Sequence, residues 1–302
     1  MSQFEDSGTT NPSPEVPYWR AIKSNGRKPR VGKYGIDMGD KGVYDERNPL
    51  NDLTGKEWTY FTNSVWVTAY PPSADTFGFD VRKIHPCPKP PALMKEIIRF
   101  FTKGGEWVLD PFAGVGGSLM GASLCEPPRN AVGVEITQHY VNAYLQVARQ
   151  LQLPPQHMIQ GDSRDIENLV RDYHTPFDLV VTDPPYYDMM NRPKAGQKKK
   201  LYGRDDSSPF SELEGDISNL PYTEFLDVLC EMLGNCVKLL RIKRYLVVFC
   251  RDLQPTEESP NLVHADLIQR LLKIPGLRYR GMRIWHDQTT DLYPFVYPYA
   301  FV

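Results

Sequence analysis

The sequence predicts an α/β protein with a doubly wound, mostly parallel sheet and helices on both faces. Three observations lead to this prediction. Short apolar runs alternate with helix-patterned segments from about residue 80 onward. A glycine-rich turn joins one predicted strand to the helix that follows it, and acids end four of the predicted strands. Ligands of such sheets bind where the carboxyl ends of the strands meet, so we expect these acids to line a site.

The predicted strands are short and rich in β-branched or aromatic residues. In order they are EWVLD (106–110), AVGVEI (131–136), HMIQGD (157–162), FDLVVTD (177–183) and YLVVFC (245–250), with GMRIWHD (281–287) and YPYAFV (297–302) as late strands. The chain stops inside the last of these runs, so we expect it to be part of a slightly longer protein.

Apolar residues at helical spacing predict the connecting helices. These are PALMKEIIRFFTKGG (91–105), GSLMGASLC (117–125), TQHYVNAYLQVARQL (137–151), SRDIENLVRDY (163–173), YTEFLDVLCEMLGNCVKLL (222–240) and HADLIQRLLKI (264–274). Helices and strands therefore alternate through most of the chain.

We divide the chain into three parts. Residues 1–17 are polar and contain Pro and Ser, which is typical of a disordered tail. Residues 18–79 form a basic arm followed by an aromatic-rich N-terminal extension, and residues 80–302 form the main α/β domain with a basic insertion at 191–216.

Composition excludes several classes of protein. The hydrophobic fraction is 41% and the charged fraction 24%, as in soluble globular proteins. No run approaches the roughly 18 apolar residues of a membrane span, and the N-terminus lacks the apolar core of a secretory signal. The five scattered cysteines include no C-x-x-C pair, which predicts reduced thiols rather than zinc or disulfides. A net charge of −2 argues against nucleic-acid binding by bulk charge, although a local basic patch is compatible with it.

The glycine-rich loop DPFAGVGGS (110–118) predicts a nucleoside site. Glycines let a ligand approach the backbone, and the helix that begins next favours a negative ligand group. Glu135 lies at the end of the next strand, 19 positions after Gly116 in the sequence. This spacing is typical of a carboxylate that binds the hydroxyls of a ribose. Asp162 ends the third strand, where it can accept a hydrogen bond from an adenine amine. Together these features predict a cofactor that contains adenosine, rather than acids that only cap helices.

NAD and S-adenosylmethionine both contain adenosine. Position 119 is Leu, so the complete G-x-G-x-x-G of a dinucleotide site is missing. Asp110 opens the loop where a dinucleotide site needs no acid, and a carboxylate there can meet the cationic amino group of a methionine moiety. The loop therefore favours S-adenosylmethionine.

The fourth predicted strand ends in Asp183-Pro184-Pro185-Tyr186, which suits methylation of an exocyclic amine. The lone pair of such an amine is delocalised into the base, so acceptors that hold its protons make the nitrogen more nucleophilic. Asp183 supplies a carboxylate and Pro184 a carbonyl, Pro185 keeps the turn rigid, and Tyr186 offers a ring for stacking. Positioning for in-line transfer then supplies much of the rate.

In combination, DPFAGVGGS and DPPY resemble the DNA amino-methyltransferases, which use S-adenosylmethionine to methylate the exocyclic nitrogen of adenine or cytosine. RKIHPCPKPPALMKEIIRFFT (82–102) is similar to the family segment that closes over the methionine part of the cofactor. NDLTGKEWTYFTNSVW (51–66) is similar to the N-terminal part of bacterial and phage members. The resemblance spans roughly residues 45–300 and implies a Rossmann-like methyltransferase sheet.

The resemblance implies a role for each motif residue. It assigns cofactor binding to Asp110, Phe112, Ala113, Gly114, Gly116, Glu135 and Asp162, with Lys89 near the cofactor carboxylate, and catalysis to Asp183, Pro184, Pro185 and Tyr186, without a metal. Family members flip the target base out of a duplex. We accordingly expect a cytoplasmic DNA methyltransferase of a bacterium or phage. If the enzyme belongs to a restriction–modification system, a restriction endonuclease is its expected partner. His85 is expected to be a packed or capping residue.

The sequence predicts less about which part of the protein recognises the nucleic acid. The basic insertion follows the DPPY motif directly, and we expect Lys198, Lys199, Lys200 and Arg204 to contact phosphates. A solvated insertion is the alternative interpretation, and the basic arm at residues 20–33 is a second candidate.

Several functions stay open from the sequence. Asp at the first position of the DPPY motif favours N6 of adenine over N4 of cytosine, where Ser is more usual in the family. An RNA base methyltransferase is a further alternative, because some of these also carry DPPY. A nonenzymatic binding subunit predicts loss of the acid or the glycines, and both motifs are intact.

Overall fold

The structure, a computed structural model, describes residues 30–68, 77–173, 176–189, 211, 213–253, 255, 257, 260–287 and 299–301. The extension begins with an antiparallel sheet of β1 (Arg30–Val31), β2 (Gly35–Asp37) and β3 (Val43–Asp45). Helix α1 (Gly55–Phe61) follows and begins with a capping box, in which the Thr54 hydroxyl and the Glu57 carboxylate each accept the other residue's backbone N–H.

The main sheet has five parallel strands. They are β5 (Trp107–Asp110), β6 (Asn130–Glu135), β7 (His157–Gln160), β8 (Phe177–Thr182) and β9 (Leu240–Val248), in the spatial order β7-β6-β5-β8-β9. Every neighbouring pair is parallel, so all five carboxyl ends lie at one edge. The predicted doubly wound parallel sheet is confirmed.

Seven α-helices follow α1 in the described part of the chain, and all of them except the first overlap a segment whose apolar spacing predicts a helix. They are α2 (Phe79–Arg82), α3 (Pro91–Phe101), α4 (Gly117–Leu124), α5 (Gln138–Gln150), α6 (Ile166–Leu169), α7 (Tyr222–Lys238) and α8 (Val263–Leu271). Within the described part of the chain, no helix combines the length and apolar character that a membrane crossing needs.

Alternate residues of each strand face opposite layers of helices. Val108, Leu179 and Val181 pack in one buried cluster with residues of α3, α4 and α5. Their neighbours Leu109 and Val180 pack on the other side with residues of α6 and α7. Both faces of the sheet are therefore covered, as predicted.

Three elements differ from the predicted boundaries. β9 begins at Leu240 because it pairs with Phe177 across a register shift, with Lys243 at φ +67°. The predicted helix at 163–173 divides into a 3-10 turn, Ser163–Asp165, and the short α6, because the Asp162 side chain caps the turn by accepting from the Arg164 N–H. β10 (Ile284–Asp287) pairs with β4 (Val65–Thr68) of the extension and with β11 (Tyr299–Phe301) in a separate sheet.

Helices α3 and α4 pack closely because Gly121 has no side chain. A Cβ at this position would lie 2.8 Å from the Met94 Cβ and 2.8 Å from the Lys95 backbone nitrogen. We expect Gly121→Ala to reduce the free energy of unfolding by about 1–3 kcal/mol, because the helices must separate. Urea denaturation measures the loss. Gly55→Ala is the matched control, since a Cβ at Gly55 meets nothing within 4 Å; equal stability of the two variants would contradict the packing argument.

Candidate active site

Four acids meet at the carboxyl edge of the main sheet. Asp110 ends β5 and Glu135 ends β6. Asp162 is the second residue after β7, and Asp183 is the first residue after β8. The strand order places them side by side in the sequence Asp162, Glu135, Asp110, Asp183. The three acids predicted for the cofactor therefore adjoin the acid predicted for the acceptor.

The glycine-rich loop folds tightly against its neighbours. Gly114 and Gly116 have φ values of +51° and +74°, in the left-handed region that favours glycine. A Cβ on Gly116 would lie 2.1 Å from the ring of Tyr144 in α5. The Gly114 N–H donates to the Glu135 carboxylate at 2.9 Å, so the loop and the ribose-binding candidate hold each other in place.

Asp110 is buried and fully occupied with hydrogen bonds. Its carboxylate accepts from the Thr182 hydroxyl at 2.7 Å, from the Phe112 N–H at 3.0 Å and from the Ser118 hydroxyl. Burial raises the pKa of Asp110 to about 6, although these hydrogen bonds oppose the rise. The residue thus ties the loop, the start of α4 and the end of β8 together, whereas the sequence led us to expect a direct contact with an amino group.

Glu135 is suited to bind a hydroxyl pair. One carboxylate oxygen accepts from Gly114 and the other from the Thr137 N–H at 2.8 Å, which fixes its orientation. The residue is only partly buried, and burial raises its pKa. Carboxylate oxygens have further lone pairs, so Glu135 can still accept from ligand hydroxyls.

Asp162 has a different environment from the one predicted. Its carboxylate pairs with the Arg164 guanidinium at 2.8 and 2.5 Å, and a Cβ built on Gly215 would lie 2.8 Å from it. The same Cβ would lie 2.3 Å from Ile136, so the segment around Gly215 covers the end of the cleft beyond Glu135. Asp162 is therefore already engaged by Arg164, and we expect Arg164 or this segment to shift when an adenine amine binds there.

The HPCPKP segment is fastened to the glycine-rich loop by a buried arginine. Arg82 donates to the Lys89 carbonyl at 2.7 Å and to the Val115 carbonyl at 3.3 Å, and burial lowers its pKa to about 10. His85 accepts from the Cys87 N–H at 3.2 Å and packs on Tyr140. Burial, followed by the charges of Lys89 and Arg82, lowers the pKa of His85 to about 3, so the imidazole is neutral.

The acceptor motif is closed by Lys89. The Lys89 ammonium lies 2.8 Å from the Asp183 carboxylate and 3.0 Å from the Tyr186 hydroxyl, which itself donates to Asp183. Lys89 was expected near the cofactor carboxylate, and here it contacts the acceptor motif instead. Both side chains are largely removed from water, so their Coulomb attraction is stronger than at the surface and offsets part of the cost of desolvating the two charges.

Three rings surround the same ammonium. Its distances to the ring centroids are 5.3 Å for Tyr186, 5.5 Å for Phe249 and 6.0 Å for Trp285. No sequence pattern singled out Phe249 or Trp285, although Phe249 is the penultimate residue of the predicted strand 245–250 beside DPPY and could have been found by that position. The Tyr186 ring is 5% exposed, so in this conformation it offers no open stacking surface.

The neighbouring Tyr187, which the motif left without a role, is partly buried and packs against a core cluster. It has φ +55°, and its ring centroid lies 5.2 Å from that of Tyr222 and 5.8 Å from that of Phe225. Lys198, Lys199, Lys200 and Arg204 lie outside the described residues. The predicted phosphate contacts therefore stay a prediction.

The residues of the cleft fit S-adenosylmethionine at two of its three parts. Glu135 presents an oriented carboxylate for a ribose, and the glycine-rich loop leads to the N-terminus of α4 beside it. The adenine end near Asp162 requires the shift of Arg164 or Gly215 described above. Glu135 and the glycine-rich loop therefore fit the cofactor as they stand, and the region of Arg164 and Gly215 fits it after a local shift.

Comparisons with known proteins identify a family whose model matches part of the chain. Residues 23–146 match the family described as DNA methylase, a region that contains the HPCPKP segment, the glycine-rich loop and Glu135. The match confirms the resemblance to the amino-methyltransferases and supports S-adenosylmethionine as the cofactor. It ends before Asp162 and the DPPY motif.

One curated relative is the tRNA (guanine(10)-N2)-dimethyltransferase of Methanothermobacter thermautotrophicus. It is 31% identical over 129 residues, which are 42% of this chain and 36% of that protein. The matched region thus spans about a third of that relative's length.

Two solved structures are similar at low identity. TrmN from Thermus thermophilus has 17% identity and a TM-score of 0.48, with 78% of this chain and 52% of that chain covered. An rRNA methylase from Streptococcus thermophilus has 12% identity and a TM-score of 0.41, with 70% and 94% covered.

The buried Asp110 predicts a pH-dependent stability. Its folded pKa of about 6 exceeds the ordinary 3.8, so the folded state binds the proton more tightly. This contribution to stability is fully present below pH 4 and is lost as the pH rises through about 6. Ionisation of Asp110 reduces the free energy of unfolding by at most about 1.4 kcal/mol for each unit by which folding raises its pKa.

Asp110→Asn should flatten this dependence, because the amide cannot ionise yet keeps an acceptor for Phe112 and Thr182. Urea denaturation of both proteins from pH 4 to pH 7.5 measures the difference, and Glu135 titrates in both proteins. Parallel curves would show that Asp110 does not titrate as described.

Proposed function

We propose that the chain is an S-adenosylmethionine-dependent methyltransferase that acts on an exocyclic amine of a nucleic-acid base. N6 of adenine in DNA is the leading acceptor. The observation that carries the proposal is the order of sites along one sheet edge: the glycine-rich loop after β5 lies between Glu135 at the end of β6 and Asp183 just after β8. A methyl donor and a gripped amine would thus meet between neighbouring strands.

When bound, S-adenosylmethionine supplies an electrophilic methyl group on a sulfonium. Asp183 and the Pro184 carbonyl would accept hydrogen bonds from the amine and expose its lone pair. Asp183 need not deprotonate the amine beforehand, because the nitrogen becomes acidic only after it is methylated. The proton then leaves to Asp183 or to water.

Lys89 must leave Asp183 before an amine can bind there. The ammonium occupies the place where the carboxylate and the rings of Tyr186, Phe249 and Trp285 converge. An amine of the target base would take the same position, because it offers the same kind of donor to Asp183. Displaced Lys89 would then be free to reach a cofactor carboxylate, the role that the resemblance implies.

Adenine in DNA is supported by the family match over residues 23–146 and by Asp at the first position of the motif. Cytosine N4 is the alternative within DNA. Base flipping would deliver either base to the edge of the sheet. A nuclease partner and a cytoplasmic location stay predictions from the sequence.

An RNA base is the second candidate acceptor. The relative with 31% identity is named for a reaction on N2 of guanine in tRNA, which is also an exocyclic amine. The chemistry required of Asp183 and Pro184 is the same for that nitrogen, so these residues do not separate DNA from RNA. A nonenzymatic subunit is disfavoured, because Asp183 and the glycine-rich loop are intact.

Transfer of a labelled methyl group tests the proposal. The protein is incubated with tritiated S-adenosylmethionine and, in parallel, with duplex DNA, single-stranded DNA or total tRNA, and the modified nucleoside is identified after digestion. We expect N6-methyladenine in DNA. N4-methylcytosine would correct the base, N2-methylguanine in tRNA would establish the second candidate, and transfer to none of these acceptors would contradict the proposal.

The control for this assay is Asp183→Asn. It removes the charged acceptor, so we expect transfer to fall at least about 100-fold, the lower range for loss of such a group. Affinity for S-adenosylhomocysteine, measured by calorimetry, should change little. Loss of both transfer and binding would mean that the acceptor and cofactor roles are assigned wrongly.

A further inference from the structure

Arg251 lies just beyond β9, the strand next to the acceptor motif at the outer edge of the sheet. Thr182 and Val248 are partners in the β8–β9 ladder, and the Phe249 N–H donates to the Thr182 carbonyl at 2.9 Å. Chain positions just after β9 therefore run next to Asp183 and the prolines. Arg251 comes two residues after Phe249, at the same carboxyl edge as the four acids.

The Nε of Arg251 is buried and has no hydrogen-bond acceptor in the described part of the protein. The adjacent Asp252 is engaged elsewhere, because its carboxylate accepts from the His264 N–H at 3.0 Å and pairs with the His264 ring at 2.7 Å. A buried donor without an acceptor is costly, so such a group points to a ligand that supplies the acceptor.

Electrostatics place this charge close to the reacting groups. Burial raises the pKa of the Tyr186 hydroxyl well above its usual value, and the negative charge of Asp183 raises it further. The positive charge of Arg251 lowers the same pKa, so it acts on this hydroxyl. Arg251 as a whole is only partly buried, so a ligand can reach it from solvent.

The order of the strands separates Arg251 from the cofactor. The residues that fit the cofactor lie on β5, β6 and β7, the acceptor motif lies on β8, and Arg251 follows β9 on the far side. Neighbouring strands are about 4.8 Å apart, so the acceptor motif intervenes between the cofactor and Arg251. An anion at Arg251 would approach with the target nucleotide rather than with the cofactor.

We propose that Arg251 binds a backbone phosphate of the nucleotide whose base enters the acceptor site. This inference rests on the proposed function. A guanidinium offers parallel N–H donors that match the oxygens of a phosphate, and Nε is one of those donors. Arg251 is partly exposed, so its guanidinium can turn toward the phosphate, which then supplies an acceptor for Nε. The bound phosphate holds the sugar–phosphate chain beside Asp183 while the base is methylated.

Binding to nucleic acid over a range of salt concentrations tests this role. Fluorescence anisotropy is measured with the labelled nucleic acid that accepts methyl groups, duplex DNA or tRNA, for Arg251→Met and Arg251→Lys. We expect Arg251→Met to weaken binding about tenfold and to reduce the slope of log affinity against log salt by about one. Arg251→Lys should restore the slope but only part of the affinity, because it keeps the charge and loses the paired donors.

The matched control is Arg171→Met, which removes an equal charge from a side chain that is 71% exposed and lies ahead of β8, away from the carboxyl edge. It should leave both affinity and slope near wild type. Thermal unfolding adds a second readout: Arg251→Met should be at least as stable as wild type, because it removes a buried donor that has no partner.

Unchanged affinity and slope in Arg251→Met would overturn the inference, and so would a loss of S-adenosylhomocysteine affinity with nucleic-acid binding intact. A marked loss of stability in Arg251→Met would also overturn it, because Arg251 would then serve the fold. These failures differ from failure of the proposed function. In that case the wild-type protein itself transfers no methyl group to nucleic acid.

Discussion

One buried carboxylate connects the two halves of the site. Asp110 binds the loop at Phe112, the first turn of α4 at Ser118 and the last residue of β8 at Thr182. Thr182 immediately precedes Asp183, so the cofactor loop and the acceptor motif are fixed to a common point. In-line transfer requires this kind of fixed relation between donor and acceptor. The cost of burying Asp110 appears as its raised pKa, and the hydrogen bonds limit that cost.

The acceptor half of the site is closed in this conformation. Lys89 pairs with Asp183, and the rings of Tyr186, Phe249 and Trp285 leave this pair only slightly exposed. Arg82 holds the Lys89 backbone against the glycine-rich loop, so the lysine that closes the proposed acceptor site is anchored at the proposed cofactor site. In the proposed mechanism, entry of a base exchanges one amine for another at Asp183, while Arg251, which follows β9, holds the chain that carries the base.

Local patterns predicted the main sheet, and contacts across the fold account for what was missed. The strands, the glycine-rich loop and the row of acids follow from periodicity and from the rule that parallel strands end at one edge. Lys89 and Asp183 are 94 positions apart in the chain, and no local pattern announces their pairing. The same holds for Trp285, which reaches the site from β10, a strand that pairs with the N-terminal extension. Arg164 was missed because its effect on Asp162 comes from a side-chain turn rather than from helix periodicity.

A crystal structure with S-adenosylhomocysteine bound tests whether one edge of the sheet holds the cofactor beside Asp183. We expect the ribose hydroxyls on Glu135, the amino-acid end along the glycine-rich loop, and the sulfur facing Asp183. We also expect the segment around Gly215 or the Arg164 side chain to have shifted to admit adenine at Asp162. A ligand bound away from Glu135, or with its sulfur turned from Asp183, would show that this edge is not arranged for methyl transfer.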